Sequence, residues 1–218
     1  MVTLAGLFIT LEGIDGCGKT TQARLLADWL GGKGYTAVLT REPGGTESGG
    51  ILRELLLSPR RTVGPEAELF LYLADRALHV REVVRPALEQ GRVVVCERHA
   101  DSTVAYQGYG RGLELALLRR LNGLATLGII PDLTAVLDVP PDRARLDATC
   151  LDRLESQGQD FLARVAEGFR RLARDEPDRV KLVDGLGDVR AVHQQVVALV
   201  ERLLEAKPPS GGLPREGP

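Results

Sequence analysis

Gly13-Ile14-Asp15-Gly16-Cys17-Gly18-Lys19-Thr20 carries the spacing G-x-x-x-x-G-K-[ST], and each residue type in it suits phosphate chemistry. Glycines let the backbone curl until its N–H groups point at a β-phosphate, and a following helix adds its positive N-terminal end. The Lys19 ammonium is suited to β- and γ-oxygens, and the Thr20 hydroxyl is a hard oxygen ligand for Mg²⁺. Gly13, Ile14, Asp15, Gly16, Cys17, Gly18, Lys19, Thr20 and Thr21 are therefore the expected ATP-binding residues, with Lys19 catalytic. The plainer alternative is a glycine-rich turn joining strand to helix. No Asn-Lys-x-Asp run exists, so a guanine-specific GTPase is not expected.

A second set of residues suits a phosphate acceptor. Arg41 stands in Thr40-Arg41-Glu42-Pro43-Gly44-Gly45-Thr46, and Arg98 in Glu97-Arg98-His99-Ala100-Asp101-Ser102; each follows an apolar run. Two guanidinium forks there can clamp a phosphate and steady developing charge, although either alone could be a surface arginine in an ion pair. Glu97 is expected to orient Mg²⁺ and the attacking phosphate oxygen, unless it merely pairs with Arg98. Tyr72 and Arg76 are four residues apart and share a helix face. They could stack on and read a pyrimidine, but spacing alone favours a core tyrosine beside a snorkelling arginine. His79, His99 and His193 are scattered and read as bystanders. A nucleoside kinase would need a carboxylate base, which Glu42 or Glu97 could supply, but two arginines argue for an acceptor already bearing phosphate. A nucleotide-dependent switch protein is the rival from another class.

Something must hold these groups together. Short apolar runs at Leu7–Leu11, Thr36–Thr40, Val93–Cys96, Leu133–Leu137 and Val180–Val183 read as strands. Helical spacing connects them: through Leu26 and Leu30, over Glu66–Glu89 and Leu113–Thr126, and from Val189 to Leu203. Alternation of this kind predicts an α/β three-layer sandwich, a five-stranded parallel sheet with helices on both faces. Ligands then bind at the carboxyl ends of the strands, where both sets of chemical residues fall. The 218 residues suffice for one domain over 1–206, with the Pro- and Gly-rich tail 207–218 expected to be disordered. A net charge of −2 with interspersed signs argues against a nucleic-acid partner, and the apolar runs are too short for a membrane span. Cys17, Cys96 and Cys150 have neither disulfide nor zinc spacing, which predicts a reduced cytoplasmic protein.

With Glu12–Gly16, Thr40–Thr46, Glu97–Gly108 and Leu151-Asp152-Arg153-Leu154-Glu155 in this order, the chain resembles the thymidylate kinases from about Leu7 to Asp184. The resemblance implies a P-loop nucleoside monophosphate kinase fold with a lid over ATP at about 140–157. It implies transfer of phosphoryl from MgATP to dTMP, and a homodimer. Asp15 would then bind the deoxyribose 3′-hydroxyl, Arg41, Arg53 and Arg98 the acceptor phosphate, and Tyr72 and Arg76 the thymine. Thr103 and Gln107 would face the base, and Tyr106 would crowd the 2′ position. Glu97 departs from the family's usual Asp, and Pro141–Cys150 is shorter than a usual bacterial lid. The P-loop holds no arginine, so a lid arginine is needed at the transferring phosphate. Arg153 is the expected catalytic donor, with Arg143 and Arg145 solvated. The alternative for Arg153 is a surface pair with Asp152 or Glu155.

Overall fold

The computed structural model describes residues 5–145, 153–154 and 157–209. Five strands form where the apolar runs lie: β1 (Leu7–Glu12), β2 (Ala37–Arg41), β3 (Val93–Glu97), β4 (Leu133–Asp138) and β5 (Val180–Asp184). Each continues past its apolar run into a polar residue, because ladder hydrogen bonds do not depend on side-chain polarity. That extension puts Glu12, Arg41, Glu97, Asp138 and Asp184 along one edge of the sheet. The order is β2-β3-β1-β4-β5 and every pair is parallel. Register sets Arg41 beside Glu97 and Glu97 beside Leu11, so acceptor and P-loop sides meet at the sheet centre.

Strand alternation divides the core. Leu7, Ile9 and Leu11 face Leu26 and Leu30 of α1 (Lys19–Gly32) and Val192, Val196 and Val200 of α8 (Val189–Ala206). Phe8 faces the other way, onto Val80, Val84 and Leu88. These three belong to a long helical run: α3 (Pro65–His79), a π-helical turn (Val80–Val84) and α4 (Arg85–Glu89). Pro86 cannot donate to a carbonyl one turn back, and the widened turn before it absorbs the mismatch.

Several helices went unanticipated. α2 (Glu47–Leu57) starts at Thr46, whose side chain accepts from Gly49 N at 2.9 Å. α5 (Ala100–Thr103) runs directly into a π-helical turn (Val104–Gly110). Beyond α6 (Leu115–Ala125), α7 (Gln159–Asp175) buries Phe161, Leu162, Val165, Phe169 and Leu172, a stripe legible in the sequence. In the lid region, a short 3₁₀ turn (Pro141–Arg143) follows β4. The expectations for Cys150, Leu151, Asp152 and Glu155 lie outside the described residues, as do those for positions 210–218. Lys207 departs from the disorder expected of the tail, because it ends α8 and pairs with Asp132 at 2.7 Å.

Candidate active site

The P-loop leaves β1 and turns on glycines that nothing larger could replace. A Cβ on Gly13 (φ 133°) would sit 2.7 Å from Leu137 O, and one on Gly16 (φ 74°) would sit 2.8 Å from the Arg145 backbone. Lys19 opens α1, buried, and its Nζ donates to Ile14 O at 2.7 Å and Gly13 O at 3.3 Å. Thr20 Oγ1 donates to Glu97, 2.9 Å from Oε1 and 3.0 Å from Oε2. The two expected metal residues therefore meet, although they are 77 positions apart.

Arg98 follows β3 with φ 67°, a left-handed backbone that a non-glycine residue adopts at a cost of about 1–3 kcal/mol. The geometry aims its guanidinium back across the sheet edge. Nη1 reaches Gly13 O at 3.1 Å and Ser102 Oγ at 3.0 Å, while Nη2 pairs with Asp15 and with Tyr106 Oη at 3.0 Å. Tyr106 Oη donates to the other Asp15 oxygen at 2.7 Å. Burial pushes the Asp15 carboxyl up, but the Arg98 and Lys19 charges more than offset this and hold it at about 2. Asp15 and Arg98 thus form an ion pair between P-loop and acceptor side, with the neutral Tyr106 hydroxyl, whose pKa burial raises, bridging the two.

A single cleft is lined by Asp15, Arg41, Arg53, Tyr72, Arg76, Glu97, Arg98, Thr103, Tyr106 and Gln107. Every residue expected at the acceptor therefore arrives there, from the P-loop, β2, α2, α3, β3 and the helix after it. Arg53 Nη1 donates to Pro43 O at 2.9 Å. Burial, with the neighbouring Arg41 charge, lowers the Arg53 pKa. Arg41, Arg53 and Arg98 line this cleft together, and although Asp15 pairs with Arg98, three guanidinium groups on one cleft suit an anionic ligand.

Arg76 proves to be buried rather than snorkelling. Nε donates to Glu42 at 2.8 Å, Nη1 to Thr103 Oγ1 at 2.8 Å and Asn122 Oδ1 at 2.7 Å, and Nη2 to His99 O at 2.9 Å. Glu42 also binds His79 Nδ1 at 2.8 Å and His99 Nδ1 at 2.9 Å. Burial pushes Glu42 up, but the His99 and Arg76 charges hold it well below the usual carboxylate range. Two of the three histidines expected to be bystanders, His79 and His99, are pins of the acceptor wall. A Glu42 so occupied cannot serve as a catalytic base, which removes one support for a nucleoside acceptor.

Two lid expectations fare differently. Arg143 and Arg145 are exposed, as expected, yet both line the cavity bounded by Gly16, Cys17, Gly18, Thr21 and Gly185–Gly187. Arg145 N donates to Gly16 O at 3.1 Å. Arg153 is buried instead, with Nη1 2.6 Å from Glu68 Oε2 and Nε donating to Leu56 O at 2.8 Å. It sits against α2 and α3 on the acceptor side and does not line the P-loop cavity. A carboxylate buried without solvent draws the nearest available cation, and Glu68 lies within reach.

Sequence reasoning missed Glu68, Ser102, Asn122 and Gly185–Gly187. Glu68 had a signal, since Glu68, Tyr72 and Arg76 fall on one stripe at steps of four. Ser102 also holds Glu12, whose Oε1 accepts from His99 N at 2.7 Å and Oε2 from Ser102 Oγ at 2.6 Å. Burial raises Glu12 to about 7, with the Asp101 charge adding to it.

Known proteins carry the same pattern. The thymidylate kinase family profile matches residues 11–196. A thymidylate kinase of Gloeobacter violaceus is 49% identical over 203 residues, covering 91% of this chain and 96% of that one. One from Synechococcus is 51% identical over 195 residues, covering 89% and 94%. The crystal structure of thymidylate kinase from Ehrlichia chaffeensis has a TM-score of 0.75 at 36% identity, covering 90% of this chain and 98% of that one.

Proposed function

The chain belongs to the thymidylate kinase family, and on that premise we propose how its own residues divide the work of phosphorylating dTMP to dTDP with ATP. The observation that supports the division is the single cleft in which three arginines, an aromatic ring and two buried polar side chains surround the acceptor position.

Arg41, Arg53 and Arg98 bind the dTMP phosphate, and Asp15 takes the 3′-hydroxyl while Tyr106 fills the 2′ position. Tyr72 stacks on the thymine, with Arg76, Thr103 and Gln107 along its edge. Lys19 and the P-loop amides hold the β- and γ-phosphates of ATP. Thr20 and Glu97 fit Mg²⁺, a hydroxyl and one carboxylate together, leaving other positions to phosphate oxygens and water. Held there, Mg²⁺ would supply charge neutralisation for the phosphoryl group in transfer. Arg143 and Arg145, rather than Arg153, supply lid charge to the transferring group, because they line the P-loop cavity. Phosphoryl transfer needs positioning and charge more than covalent chemistry, so no side-chain nucleophile is required.

Phe70 on α3 and Leu117 and Leu124 on α6 are 62%, 44% and 75% exposed. These helices pack together and present an apolar face that supports a homodimer. Among the described residues no helix is long and apolar enough to cross a membrane. A cytoplasmic site of action fits the nucleotide substrates.

Steady-state ADP release with saturating ATP, Mg²⁺ and dTMP tests the assignment. Lys19→Ala should lower kcat at least about a hundredfold, and Arg143→Ala with Arg145→Ala by about tenfold or more. A double lid variant with normal kcat overturns the lid assignment, and a Lys19→Ala enzyme with normal kcat overturns the donor assignment.

A further inference from the structure

Glu68 is fully buried on α3. Its Oε1 accepts from Gln107 Nε2 at 2.8 Å and, more weakly, from Arg111 Nε at 3.3 Å, and its Oε2 from Arg111 Nη2 at 3.0 Å and Arg153 Nη1 at 2.6 Å. Burial pushes this carboxyl up, but hydrogen bonds from Arg111 and Gln107 lower it below its ordinary value, so it is ionised at neutral pH. An ionised carboxylate has no proton to donate. Gln107 must therefore turn its NH₂ toward Glu68, and its carbonyl oxygen is left for the cleft that the residue lines.

Arg76, which lines the same cleft, is a donor. Four of the five N–H groups of Arg76 are used by Glu42, Thr103, Asn122 and His99, which leaves one on Nη2. Thr103, one helical turn before Gln107, accepts from Arg76 and so sets the two readers side by side. A donor next to an acceptor matches the O4 and N3–H edge of thymine. Cytosine presents the reverse, an N4 donor and a bare N3 acceptor.

Resting on the acceptor-site reading above, we propose that Glu68 is a specificity-positioning residue. It locks the Gln107 amide with its oxygen toward the base, so that a pyrimidine bearing N3–H is accepted and one with a bare N3 is refused.

The test exploits a reversal. In Glu68→Gln, Arg111 and Arg153 still demand an acceptor, so the new carbonyl turns to them and the new NH₂ turns to Gln107. Gln107 must then rotate and present its own NH₂ to the base. Titration calorimetry of the full chain with dTMP, dCMP and ATP gives the readout. The dTMP over dCMP preference should fall at least about tenfold, with dCMP binding tighter than in wild type and ATP affinity unchanged within about twofold. Should the single variant fold poorly, Glu68→Gln with Arg111→Gln removes surplus positive charge and carries the same expectation. Equal weakening of dTMP and dCMP would overturn the proposal, since a merely structural role moves both together. Gln107→Leu separates the two levels. A preference unchanged in Gln107→Leu overturns the acceptor-site reading of Gln107 and the proposal with it. A preference reduced there but intact in Glu68→Gln overturns the role of Glu68 alone.

Discussion

Removing Arg153 separates an anchor from a phosphate donor. The residue Arg153 is only 7% exposed, its Nη1 lies 2.6 Å from Glu68, and its Nε and backbone N donate to Leu56 O and Leu57 O. Breaking a buried ion pair from one side costs about 3–5 kcal/mol when the remaining charge has no other partner. Here Glu68 keeps Arg111 and Gln107, so Arg153→Ala should cost less, about 2–3 kcal/mol. For a domain of this size each kcal/mol moves Tm by about 2–4 °C, giving a fall of about 4–12 °C. Leu57 and Leu154 line the acceptor cleft, so loosening this segment should raise KM for dTMP by about three- to tenfold. The kcat at saturating substrates should change by about fivefold at most. Thermal unfolding followed by fluorescence, with steady-state ADP release at varied dTMP, measures all three. A kcat reduced a hundredfold with Tm unchanged would refute the anchor and return the donor role to Arg153.

Glu12→Gln tests a buried acid: Glu12 ionises at about 7 in the fold against 4.5 ordinarily, so stability present below pH 4.5 is lost as pH rises to about 7. That loss is about 3 kcal/mol, and urea unfolding at pH 5 and 7.5 should show Glu12→Gln losing correspondingly less; equal losses would remove Glu12 as the cause. Glu97→Gln should lower kcat far more than it raises KM, and Glu97→Asp should retain more activity than Glu97→Gln. Pre-steady-state or saturating kinetics in which Gln outperforms Asp would deny a charge role there. If the proposed homodimer forms through α6, Leu124→Glu should shift the sedimenting species from dimer to monomer, and an unchanged coefficient would remove this face from any interface.

The P-loop, the five strands and the strand-end forks Arg41 and Arg98 were legible in the chain because each depends on local rules, whereas the other residues of the cleft came from the family resemblance. Glycine spacing before a helix, apolar runs of strand length and forks at strand ends are written within a few positions of one another. α7 went unanticipated although its apolar stripe repeats at helical steps. What sequence could not supply was the partner of each charge. Whether Arg153 meets a phosphate or a carboxylate depends on Glu68, 85 positions earlier in the chain. Arg76 reads as a surface residue by spacing, yet Glu42, Asn122 and the His99–Thr103 stretch converge on it from three separate segments. The π-helical turn that carries Tyr106 and Gln107 is likewise fixed by packing against α7, not by local propensity. A buried ion must find its counter-charge wherever the fold brings one close, because low-dielectric surroundings make an unpaired charge untenable. Residue types and their order therefore determined the chemistry available, and tertiary packing alone decided which arginines line the P-loop cavity and which way the Gln107 amide faces.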